Sequence, residues 1–157
     1  MTHAIIHSMT TVFGVPAHPL LIHIPVVFIP LTVLGIVVSA VWPRVLQTYG
    51  WMIVAAAVVS ALGAVAATLS GAQLFASLDR PEALEQHQHW GEITRALSIA
   101  LAALTAAWWW YGRRPDGSGT LAWTLRIAVV VVALATLATV VYTGHLGARA
   151  VWGGSAG

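Results

Sequence analysis

The sequence predicts an all-α integral membrane protein, a four-helix bundle of up-down-up-down order. Three observations carry that prediction. Hydrophobic residues make up 59% of the 157-residue chain and charged residues 8%, against roughly a quarter charged in a soluble domain. Four apolar stretches, at about 18–42, 50–76, 87–111 and 120–146, each suffice to cross a bilayer, which takes about 20 helical residues. The segments between them, "WPRVLQTYG", "SLDRPEALEQ" and "YGRRPDGSG", hold the proline, glycine and charge of turns. One membrane domain, 1–157, accounts for the chain.

Span one opens on "VPAHPLLIHIPVV", residues 15–27. His18 precedes Pro19 and so favours an extended backbone, which suits an N-cap with the proline at N1. Pro25 and Pro30 each remove a backbone donor, free the carbonyls of Leu21 and Val26, and predict a kink. Irregular backbone at membrane depth is tolerated where protein or a cavity covers it. Span two carries Ser60, Gly63, Ala67 and Gly71, a stripe of small residues that lets a neighbouring helix approach closely. Span three begins at His87 and His89 and ends in Trp108, Trp109 and Trp110. Span four carries Thr136, Thr139 and Thr143 on a line towards His145, which predicts interhelical hydrogen bonds.

Trp42, Tyr49, Trp51, Trp108, Trp109, Trp110, Tyr111 and Trp123 gather around the first and third loops as an aromatic belt. Trp90, Tyr142 and Trp152 belong to the other interface. All seven basic residues are arginine. Arg44, Arg113, Arg114 and Arg126 lie on the belt side, and Arg80, Arg95 and Arg149 on the other. The positive-inside rule then places both termini outside the cytoplasm, in a bacterial cytoplasmic membrane. Residues 1–17 lack the basic leader and apolar block of a cleavable signal, so span one is expected to act as its own insertion signal. The arginines are too scattered for a nucleic-acid footprint. With no cysteine, a thiolate nucleophile, an iron–sulfur cluster and a covalently attached haem are excluded.

The histidines converge. His3 and His7 fall in the N-terminal segment and read as solvated, but the other five share one membrane face in an up-down bundle. His23 lies 19 residues before Trp42 and His18 24 before it; His87 lies 23 before Trp110 and His145 22 after Trp123. At about 1.5 Å per residue these four fall within a slab about 8 Å thick. A single histidine at a helix end is ordinarily an interfacial or capping residue, and His89, two positions from His87, reads that way. The joint convergence of His23, His87 and His145 points instead to a cofactor or metal site, because intramembrane ionisable residues mark function. Of the two histidines on span one, His23 is the deeper and the costlier to leave unpaired. Glu85 and Glu92 flank His87 and could orient an imidazole; Glu92 could instead pair with Arg95. Gly144 and Gly147 leave room beside His145 for a flat ligand or a close helix.

"HPLLIHIP" at 18–25, "SGAQL" at 70–74, "EQHQHWGE" at 85–92 and "GHLGARAVW" at 144–152 resemble the membrane family called domain of unknown function 2231, its actinobacterial branch in particular. The resemblance runs over about the whole chain, with the motifs in order and at similar spacing. Carried across, the family's histidines fall on His18, His23, His87 and His145. Some relatives are joined to Rieske iron–sulfur domains, which implies electron-transfer surroundings.

Three functions compete. A b-type cytochrome would hold haem b between His23 and either His87 or His145, with Arg95 or Arg149 near the propionates and a quinone or redox protein as partner. A bare copper or zinc site would use His18, His23, His87 and His145. A non-catalytic subunit of a homo- or hetero-oligomer would use its histidines to cap helices and bind lipid. No hydrolase triad, phosphate loop or paired-carboxylate site occurs, which favours an electron-transfer or binding protein over an enzyme with its own substrate.

Overall fold

The computed structural model describes residues 11–12, 15–76, 82–114 and 119–152; His3, His7, Asp79 and Arg80 lie outside them. Among these residues, a two-residue antiparallel pairing of β1 (Thr11–Val12) with β2 (Val15–Pro16) comes first. Five helices follow: α1 (Ala17–Leu21), α2 (His23–Val41), α3 (Pro43–Phe75), α4 (Glu82–Gly112) and α5 (Thr120–Trp152). The helices long and apolar enough to cross a membrane give four spans, Ala17–Val41, Pro43–Phe75, Leu84–Gly112 and Thr120–Ala150. The chain is a four-span helical membrane protein.

Span one is α1 and α2 in series. The helix begins at Ala17, so His18 stands within the first turn rather than capping it. The break at Ile22 is slight: Ile22 keeps helical dihedrals, its N–H donates to the His18 carbonyl, and its own carbonyl accepts from Val26. Pro25 sits just beyond, where its missing N–H explains the interruption, while Pro30 is absorbed inside α2.

The expected first loop is largely helix. Only Trp42 is extended, and Pro43 opens α3 at its first position, where a proline loses nothing and its φ is already helical. The outer ends of α3, α4 and α5 also run past the expected limits, because 30-odd residues of helix exceed the hydrocarbon thickness and extend into the interface.

Each span packs on the next, and α5 closes the ring against α2. The core is lined by Ile29, Val33, Ile36, Leu101, Val129 and Ala133, while Leu34, Leu62 and Val141 face outward, each 60% exposed or more. Fully buried positions include Thr32, Ser60, Ser98, Thr105 and Thr136. A lipid-facing shell of large apolar side chains around a small, partly polar interior suits a bilayer, where apolar surface gains nothing by turning inward.

The small-residue stripe on α3 faces span one along its length. Ile24 and Pro25 occupy the space a Cβ on Gly63 would need, and the Ser60 and Thr32 hydroxyls lie 3.3 Å apart. The threonine stripe on α5 behaves in part as expected. Thr136, Thr139 and Thr143 donate to the carbonyls of Val132, Thr136 and Thr139 in their own helix; the interhelical contact is Thr143 with Thr94, 3.2 Å. A threonine hydroxyl reaches its own preceding turn before it reaches a neighbour.

Trp42, Trp51, Trp110 and Trp123 are exposed as belt residues should be, but Trp108 is buried and belongs to the core. Trp109 packs on Gly50 and beneath Arg113, whose guanidinium carbon is 4.9 Å from its ring centroid.

Candidate functional site

Two of the histidines meet across the bundle. His18 of span one and His87 of span three stand on diagonally opposed helices, with ring centroids 6.2 Å apart and planes at 87°. Each is half-buried, and each is held by the helix next to it in the same way. Nδ1 of His18 donates to the Ala67 carbonyl on α3, 2.9 Å, and Nδ1 of His87 donates to the Thr143 carbonyl on α5, also 2.9 Å. A carbonyl only accepts, so in both rings Nδ1 carries the proton, and Nε2 of a neutral imidazole is left with a free lone pair.

The glycine one turn beyond each of those carbonyls clears space for the ring. A Cβ on Gly71 would fall 2.9 Å from Cε1 of His18, and one on Gly147 would fall 3.0 Å from Cε1 of His87. Both contacts are too short for an alanine without a shift of the ring. The first hairpin, spans one and two, and the second, spans three and four, thus present the same device in duplicate: an imidazole, a carbonyl, and a glycine four residues after it.

Two pockets adjoin the histidine pair. The inner one is bounded by Pro25, Val26, Ala64 and Val140, with Thr68, Thr94 and Thr143 as its polar wall. The outer one is bounded by Pro19, Phe75, Leu84 and Ala148 at the helix ends. His18, Ile22, Gly71, His87, Gln88 and Gly144 border both.

The other candidate residues stand apart from this pair. His23 is exposed, and its Nδ1 donates to the Pro19 carbonyl of its own span, 2.7 Å. His145 and His89 are exposed, and His89 packs edge-on to Trp90, with ring centroids 6.3 Å apart. Glu85 and Glu92 are also exposed. Glu92 borders the inner cavity, but the orienting role expected of a carboxylate is taken by the carbonyls of Ala67 and Thr143. Arg95 turns to Thr68, donating to its hydroxyl at 3.4 Å. Among the described residues no three histidine, cysteine or acidic side chains converge as metal ligands. Sequence reasoning missed the two carbonyls; the glycine four residues after each of them, in "ATLSG" and "TGHLG", is the signal that could have found them.

The family model for DUF2231, described as a predicted membrane protein, matches residues 14–157. The chain belongs to the DUF2231 family. Neither a curated protein nor a solved structure matches it. Within this DUF2231 chain the four motif histidines divide into a facing pair, His18 and His87, and two that point outward, His23 and His145.

Proposed function

We propose that this DUF2231 protein is a small membrane cytochrome that holds one haem b between His18 and His87 and passes single electrons. The observation that carries the reading is the facing pair itself. Their ring centroids are 6.2 Å apart, and each ring, with its Nδ1 proton engaged by a carbonyl, would offer its Nε2 lone pair to the haem iron. Haem b would take two ligands from the protein, whereas bare zinc or copper takes three or four. Two facing histidines and no third ligand nearby among the described residues favour the haem over the metal ion alone.

Small residues leave room for a flat ligand beside the pair: a Cβ on Gly144 would meet nothing within 4 Å, and Ala64 borders the inner pocket. A bound haem would supply a one-electron couple; everything else is done by this chain. The Nδ1–carbonyl bonds fix both ring orientations and raise the basicity of Nε2. Ile22, Val26 and Val140 exclude water from the inner side. Gln88 borders both cavities and offers an amide to a polar edge.

We further propose that the histidine face lies outside the cytoplasm of a bacterial membrane, a reading supported by four belt-side arginines against three on the other side. A quinone or a redox protein would reach the site through the outer cavity. The test is spectroscopic. The protein, produced with ample haem and purified in detergent, is expected to show a Soret band and a sharpened α band on dithionite reduction, with about one haem per chain. Absence of both bands, or stoichiometric copper or zinc in their place, overturns the reading.

A further inference from the structure

The opposite membrane face carries another cavity among the belt residues. Its lining includes Ser39, Leu46, Gln47, Trp108, Trp123 and Arg126. Arg126 borders this cavity beside Trp123 and the end of α2. Its guanidinium carbon lies 4.7 Å over the Trp123 ring, and one of its N–H groups donates to the Ala40 carbonyl near the end of α2. A guanidinium has five N–H donors, so these contacts orient the head without exhausting it. Ser39 is 1% exposed, and its hydroxyl has no hydrogen-bond partner among the described residues. A buried hydroxyl left in that state is costly, and the cost falls when a ligand oxygen accepts from it.

We propose that this cavity binds the phosphate group of an anionic phospholipid, with Arg126, Ser39 and Gln47 as its donors. The chemistry follows from the donor set. Phosphate oxygens accept several hydrogen bonds at once, and the planar guanidinium meets two of them together. Depth identifies the source, because tryptophans of an aromatic belt sit at the level of lipid headgroups. Charge identifies the class. Arg44, Arg113 and Arg114 lie in the segments around this face, against a single acid, Asp116, and a basic interfacial surface attracts anionic lipid. The proposal is independent of what the histidine pair holds.

The test uses the whole protein in micelles of uncharged detergent, with thermal unfolding followed as lipid is added. Phosphatidylglycerol is expected to raise the melting temperature more than phosphatidylcholine at equal mole fraction, and inorganic phosphate to leave it unchanged. Arg126→Gln is expected to weaken phosphatidylglycerol binding about tenfold, the size of one charge-assisted hydrogen bond. Ser39→Ala is expected to melt higher than the wild type without lipid and to gain less from it. Arg126→Lys, which keeps the charge but loses the planar fork, covers the case in which Arg126→Gln does not fold; it should keep part of the gain. An undiminished gain in the Arg126 variants, or equal gains from the two lipids, overturns the proposal. A gain from inorganic phosphate matching that from phosphatidylglycerol overturns the lipid as its source.

Discussion

At the scale of single residues, the helix angle decides which histidine can do what. Five positions along a helix turn the direction of a side chain by about 140°. His18 and His23 therefore cannot both face the bundle centre. The structure turns His18 inward onto Ala67 and leaves His23 against Pro19 of its own span. Two positions make about 200°, so His145 and Gly147 lie on opposite sides of α5, and the glycine is the one that faces His87. Gly71→Ala and Gly147→Ala are accordingly predicted to fold and to bind haem about tenfold more weakly, as displaced ligand-orienting contacts do. Haem titration into the cofactor-free protein measures this, and unchanged affinity in both would show that the glycines do not set the ring positions. Counting from the tryptophan belt put His18 and His87 at one level, where the structure brings them together. It could not find the azimuth of the histidines, because the rotation of each helix depends on its neighbours.

At the scale of elements, close approach is concentrated where a glycine meets a bulky residue. Ile24 and Pro25 rest on Gly63 just inward of the histidine pair, so the proline-bearing start of α2 and the glycine seat on α3 form one contact. Gly63→Val is predicted to lower stability by about 1–3 kcal/mol, the usual cost of overpacking, as read from unfolding in detergent. Loss of haem with no loss of stability would instead point to a local effect on His18. The small-residue stripe was legible in the sequence because packing in membranes selects for it directly. The threonine stripe was legible in part: Thr143 meets Thr94 across the helices, while the Thr136 and Thr139 hydroxyls turn to their own backbone. Pro43 misled: a proline after an apolar run signals a break, yet here the break is Trp42 alone and the proline starts the next helix.

At the scale of the whole molecule, composition and span length sufficed for the fold, since lipid leaves the backbone few alternatives to a helix. The duplicated use of imidazole, carbonyl and glycine was not visible in that way, because it joins residues 49 and 56 positions apart that only the packed hairpins bring together. Orientation is testable because the chain has no cysteine of its own. A cysteine at exposed Gln86, on the histidine face, is predicted to react with an impermeant maleimide in intact cells. One at Tyr49, in the belt, should react only after lysis. The opposite pattern would turn the histidine face to the cytoplasm.

The central claim is that His18 and His87, and not the two outward-facing histidines, hold one cofactor. It is tested most directly by the reduced-minus-oxidised spectrum of four single variants purified alongside the wild type. His18→Ala and His87→Ala are predicted to lose the low-spin α band, while His23→Ala and His145→Ala keep it at wild-type intensity. A spectrum abolished by His23→Ala or His145→Ala and retained in His18→Ala or His87→Ala would contradict the account.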